Sequence, residues 1–101
     1  WMPSRDHRFS ICGKTWLWRY ARLVGRAAGW TIWPDEKSKD QQLKILIDSS
    51  LRGSRRLEIE IHEFLHAANP SLSEDHVAAQ AKDLSVILFK LGYRIAPKET
   101  K

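Results

Sequence analysis

Between Leu57 and Ala68 two histidines, His62 and His66, stand four positions apart, and Glu63 directly follows the first. On an α-helix of 3.6 residues per turn such positions lie one above the other, so both imidazoles aim at one point. Two neutral imidazoles converging in this way suit a zinc ion, with Zn–N distances of about 2.0–2.1 Å. Glu63 falls roughly 100° round the helix from His62, beside the metal. From there a carboxylate can take a proton from an activated water without itself becoming a ligand. The pattern therefore specifies metal-assisted hydrolysis, on condition that the segment is a helix. Leu57, Ile61, Phe64, Leu65 and Ala68 recur at helical spacing, which predicts a buried stripe with His62, Glu63 and His66 grouped at its side.

A catalytic zinc site takes three protein ligands and keeps one position open. The third is expected from the start of a second helix, where Glu74, Asp75 and His76 are consecutive. On the helical wheel Glu74 shares the arc of Val77, Ala81 and Leu84 and faces the first helix, whereas Asp75 points away. His76, on the flank of that arc, is the rival ligand, and Asp83 is a further candidate or a partner for a ligand histidine's ring N–H. Tyr93 or Arg94, just past this helix, could polarise a scissile carbonyl.

The elements that must hold these groups can be read along the chain. Phe9-Ser10-Ile11 and Thr15 to Tyr20 read as strands joined by a turn at Cys12-Gly13-Lys14. Residues 21–29 read as the end of that strand and a loop, and Gly29 to Trp33 as another strand closed by Pro34-Asp35. Leu43 to Asp48 is the clearest strand, short and β-branched. The metal helix should begin between Ser50 and Ser54 and end at Ala68, with Asn69 in a left-handed conformation and Pro70 blocking continuation. The second helix should start at Ser71 or Ser73, bury Val77, Ala81, Leu84, Leu88 and Leu91, and stop at Gly92. The expected fold is α+β: a small antiparallel sheet of about three strands followed by two packed helices in one domain spanning 1–101. Residues 1–8 and 96–101 lack periodicity and are expected to be flexible.

With the helix in place, His62-Glu63-x-x-His66 resembles the signature of the zincin metallopeptidases. The chain looks like the small bacterial and phage-encoded zincin-like proteins that keep little beyond this helix, a few strands and a second helix. Cys12-Gly13-Lys14-x-Trp16, Ala81-x-Asp83-Leu84 and Leu91-Gly92-Tyr93-Arg94 carry the likeness more loosely, over about Ile11 to Arg94. The resemblance implies zinc-dependent hydrolysis of a peptide or protein substrate with Glu63 as general base. It also implies a carboxylate as third ligand and a cleft wall formed by the strand immediately before the metal helix. The eight positions from His66 to Glu74 are fewer than glutamate-type zincins usually have.

Composition bounds the alternatives. A hydrophobic content of 43% against 29% charged residues excludes a wholly disordered chain. No apolar run is long enough for a membrane span, and the lone Cys12 fits a reducing, cytoplasmic compartment. The net charge of +5 favours an acidic partner. Trp16, Trp18, Arg19, Tyr20, Arg22, Trp30 and Trp33 together form an aromatic and basic band of the kind that binds nucleic acid. The second reading is thus a basic, Trp-rich binding module for nucleic acid or a protein partner with a structural metal. A third is a small structural protein whose histidines bind nothing.

Overall fold

The computed structural model of the protein describes residues 6–95. Four strands, β1 (Asp6–Ile11), β2 (Lys14–Ala21), β3 (Gly29–Ile32) and β4 (Leu43–Asp48), precede two helices, α1 (Gly53–Ala68) and α2 (Glu74–Lys90). The class is α+β, as expected. The sheet differs from the expected one in having four strands and in being mixed, in the order β1-β2-β4-β3. β1 and β2 form an antiparallel hairpin, β4 lies parallel to β2, and β3 pairs antiparallel with the far edge of β4. The reason is the composition of β4. Leu43-Lys44-Ile45-Leu46-Ile47 carries apolar residues on both faces, with Ile45 and Ile47 fully buried under α1 and Leu46 half-buried on the other side, a pattern that suits a central strand. β3, with Trp30 half exposed, is left at the edge.

The β1–β2 connection is a two-residue turn in which Cys12 (φ 50°) and Gly13 (φ 81°) are both left-handed, the arrangement that matches the twist of hairpin strands. Residues 6–8, expected to be flexible, belong to β1. Asp6 opposite Arg19 forms a two-pronged ion pair at 2.7 and 2.8 Å, and the Arg19 guanidinium holds the Asp6 carboxyl below its ordinary range. The remaining residues of the two expected flexible ends, 1–5 and 96–101, lie outside the described residues.

The core joins Ile11, Trp16, Ile45 and Ile47 of the sheet to Ile59 and Ala67 of α1. α1 packs on β3 and β4, and α2 packs on α1 rather than on the sheet. That layering corrects both expected helix stripes. The residues of α1 most buried are Ile59, Glu63 and Ala67, while Phe64 is exposed and Leu57, Ile61, Leu65 and Ala68 are half-buried. A helix sandwiched between a sheet and a second helix divides its apolar residues between two neighbours. α2 has one neighbour and buries only the narrow row Val77, Ala81 and Ser85, leaving Leu84 and Leu91 exposed. A second attachment of α1 to the sheet is polar. The Tyr20 hydroxyl donates to Glu60 Oε2 at 2.5 Å, and the Arg56 guanidinium donates to the same oxygen from above the Tyr20 ring. Burial, and then the bond to Glu60, push the Tyr20 phenol up.

Helix ends follow local chemistry in part. Ser73 caps α2, its hydroxyl accepting from the His76 N–H at 3.2 Å, so Glu74 and Asp75 occupy the first turn. At the other end Gly92 (φ 99°) is left-handed, with Gly92 N–H donating to Phe89 and Tyr93 N–H to Leu88, a closed Schellman stop. Asn69 ends α1 at φ −133° instead of the left-handed conformation expected. Pro70, which disfavours a helical or left-handed residue before it, accounts for the difference. No helix among the described residues is long and apolar enough to cross a membrane.

Candidate metal centre

Because α1 is a continuous helix through 62–66, His62 and His66 present their Nε2 atoms 3.2 Å apart. The reversal over 69–73 brings the first turn of α2 back against them. Glu74 Oε2 lies 3.0 Å from His62 Nε2, and Glu74 Oε1 lies 2.7 Å from His66 Nε2. Glu74 and Asp75 are both exposed, but Asp75 lies outside this cluster, and His76 Nδ1 meets the Ser73 hydroxyl at 2.8 Å, which ties His76 to the helix cap. Asp83 is exposed and outside the cluster. Among the described residues, His62, His66 and Glu74 are the group whose donor atoms could hold a metal ion.

The donor chemistry fits zinc. Four donors at about 2.0–2.1 Å in a tetrahedron stand about 3.3 Å from one another; here the imidazole nitrogens stand 3.2 Å apart, and the two Glu74 oxygens come nearer, at 3.0 and 2.7 Å, each to a different histidine. The same contacts are also satisfied without a metal, because an imidazole carrying its proton on Nε2 can donate to the Glu74 carboxylate.

Glu63 is buried at 7% exposure, in the α1 face toward the sheet. Two residues of β3 shape its surroundings. The Thr31 hydroxyl donates to Glu63 Oε1 at 2.7 Å and lies 3.0 Å from the Glu63 backbone carbonyl. Gly29, two positions earlier on the same face, leaves room for the side chain: a Cβ there would stand 2.9 Å from Glu63 Cγ and 3.0 Å from both Glu63 Oε2 and Ile59 Cγ2. Gly29→Ala is accordingly expected to lower stability by about 1–3 kcal/mol, the usual cost of overpacking, as read by denaturant unfolding. A wild-type midpoint in that variant would mean that Glu63 and Ile59 yield freely.

These groups line one open cavity of about 430 Å³, bounded by Gly29, Trp30, Thr31, Trp33, His62, Glu63, His66, Pro70 and Glu74. The wall opposite α1 is thus the edge strand β3, and not β4, the strand immediately before the metal helix. β4 is shielded because β3 covers its outer edge. Sequence reading missed Gly29 and Thr31. The available signal was a small residue and a hydroxyl residue alternating on a short strand, a pattern too common to single out.

The remaining candidates are dispersed. Tyr93 and Arg94 line a different cavity, with the first turns of α1, and so stand apart from the metal cluster. The aromatic and basic band is divided by strand alternation. Trp16 is core at 1% exposure, and Trp18 is paired across to Ile45 and Thr31 on the α1 face. Arg19 and Trp30 lie in the row through Leu46 on the opposite face. Comparison with protein-family models, with curated proteins and with solved structures gives no match, so the reading of this site rests on the residues themselves.

Proposed function

We propose that this chain is a zinc-dependent peptidase, with His62, His66 and Glu74 as metal ligands and Glu63 as general base. The observation that carries the reading is the convergence of two imidazoles and a carboxylate in the same cavity as a buried, oriented glutamate. Bound zinc would supply a Lewis acid that polarises a carbonyl and lowers the pKa of water toward about 7. Glu63 accepts the proton of the attacking water and returns it to the leaving amine. Thr31 holds one oxygen of that carboxylate, so the base does not have to be ordered at the moment of reaction.

The substrate side is β3. Among the described residues no strand pairs with its second edge, which borders the cavity. An extended peptide can add to such an edge through main-chain hydrogen bonds, which select an unfolded segment over a folded one. Trp30 and Trp33, both substantially exposed there, offer apolar contact to its side chains. The free Cys12 accords with work in a reducing, cytoplasmic setting.

The test turns on the first turn of α2. Glu74→Gln is expected to weaken zinc binding about 10-fold or more and to lower zinc-dependent hydrolysis of an unstructured protein in step. Asp75→Asn, at a neighbour outside the cluster, is expected to change neither. Zinc titration of the untagged proteins followed by rate measurement at matched occupancy separates the two. If Asp75→Asn proves as damaging as Glu74→Gln, the ligand assignment is wrong.

A further inference from the structure

A second cavity lies away from the candidate metal centre. It measures about 470 Å³, opens to solvent on one side, and is lined by Arg52, Gly53, Arg56, Leu57 and Glu60 of α1 and its cap, and by Phe89, Tyr93, Arg94 and Ile95 at the end of α2. Gly53 precedes His62 by nine residues, which is about 14 Å along the helix axis. Its walls are apolar: Leu57, the Phe89 and Tyr93 rings, and Ile95.

The charges on this cavity do not balance. Three guanidinium groups line it against one carboxylate, Glu60, and that carboxylate is already engaged by Arg56 and by the Tyr20 hydroxyl. Arg52 and Arg94 have no carboxylate within ion-pair distance among the described residues. Arg52 donates to the Ser49 and Leu51 carbonyls, and Arg94 donates to the Phe89 and Tyr93 carbonyls with its guanidinium stacked 3.4 Å from the Phe89 ring centroid. Those bonds fix the position of each fork and use one nitrogen of it, leaving further N–H groups for a ligand. The local sequence adds to the imbalance. The first turn of α1 contains no acid and its cap residue is Arg52, a sign of charge opposite to the one helix dipoles favour.

We propose that this cavity binds the C-terminal carboxylate of a peptide chain whose last side chain is apolar. A carboxylate is the planar anion that a pair of guanidinium forks recognises with two parallel hydrogen bonds. One large apolar or aromatic side chain suits an open bowl with aromatic walls, whereas an acyl tail needs an enclosed tunnel. The two requirements meet in a chain terminus, where carboxylate and side chain leave the same carbon atom. The assignment does not depend on zinc or on hydrolysis, since the cavity shares no residue with the metal centre.

The experiment is fluorescence anisotropy on the full chain with a short labelled peptide ending in phenylalanine, compared as free acid and as C-terminal amide. The free acid is expected to bind with a Kd of about 10–100 µM and the amide at least about 10-fold more weakly, because amidation removes the charge and one acceptor. This comparison requires no variant. Arg52→Gln and Arg94→Gln, checked for an unchanged melting curve, are each expected to weaken the free acid about 5-fold or more, which places binding in this cavity and not in the metal cleft. Arg52 is the safer of the two, because Arg94 also braces the end of α2. Equal binding of acid and amide, or no binding of the acid at about 1 mM, overturns the proposal. So does a preference for decanoate or for a short oligonucleotide through the same arginines, which would assign the cavity to an acyl anion or to nucleic acid.

Discussion

Replacing Glu63 by glutamine is expected to cut hydrolysis of an unstructured protein substrate by at least about 10²-fold while leaving zinc content and melting temperature nearly unchanged, the scale of positioned general-base catalysis. The substitution keeps the size and shape of a side chain that is buried against β3. Its amide oxygen can still accept from the Thr31 hydroxyl, which is now bonded to Glu63 Oε1 at 2.7 Å, so the side chain should stay in place. What is lost is the basic oxygen that takes the proton. Initial rates at verified metal occupancy, over a broad substrate panel, measure the ratio. Equal rates in wild type and variant would remove Glu63 from the mechanism, and inertness of both together with salt-dependent DNA binding would favour the basic binding module.

His62→Ala and His66→Ala are each expected to abolish stoichiometric zinc and to erase any zinc-dependent rise in melting temperature. Binding to the folded site alone adds about 2.7 kcal/mol of stability when free zinc is 100 times its Kd. For a chain of this length that corresponds to a rise of roughly 10–20 °C, at about 4–8 °C per kcal/mol. Both histidines are only half-buried and the bonds lost are to each other and to the exposed Glu74, so the metal-free variants should melt close to the metal-free wild type. Differential scanning calorimetry with and without zinc, on protein purified without a histidine tag, gives the comparison. A wild type whose melting is indifferent to zinc would leave His62, His66 and Glu74 as a hydrogen-bonded cluster and nothing more.

The link between these effects is the division of labour in the fold. The proposed metal donors come from one helix and the first turn of the next, a local unit. Glu63, the proposed base, belongs to the same helix but is held by the edge strand β3. Damage to β3 should therefore act on Glu63 while leaving His62, His66 and Glu74 in place, and damage to the reversal over 69–73 should do the opposite.

Much of this was legible from residues alone wherever the cause lay within a few positions. The i, i+4 spacing places His62 and His66 on one helix face whatever surrounds them. Ser73 and Gly92 bound α2 by capping chemistry, Cys12-Gly13 closes a hairpin by its left-handed backbone, and the short reversal brings Glu74 to His62 and His66 of α1. The choice of Glu74 over Asp75 followed from the wheel, although the stripe used to argue it was broader than the row α2 buries. Tertiary structure decided the rest. Strand order depends on pairings between segments far apart in the chain, and several orders satisfy the same local propensities. Only the assembled sheet puts β4 in the centre and β3 at the edge, makes β3 the cleft wall, and brings Gly29 and Thr31 to Glu63. Which face of α1 is buried was likewise a tertiary matter, because a helix with apolar residues on more than one side takes its orientation from the two layers that enclose it.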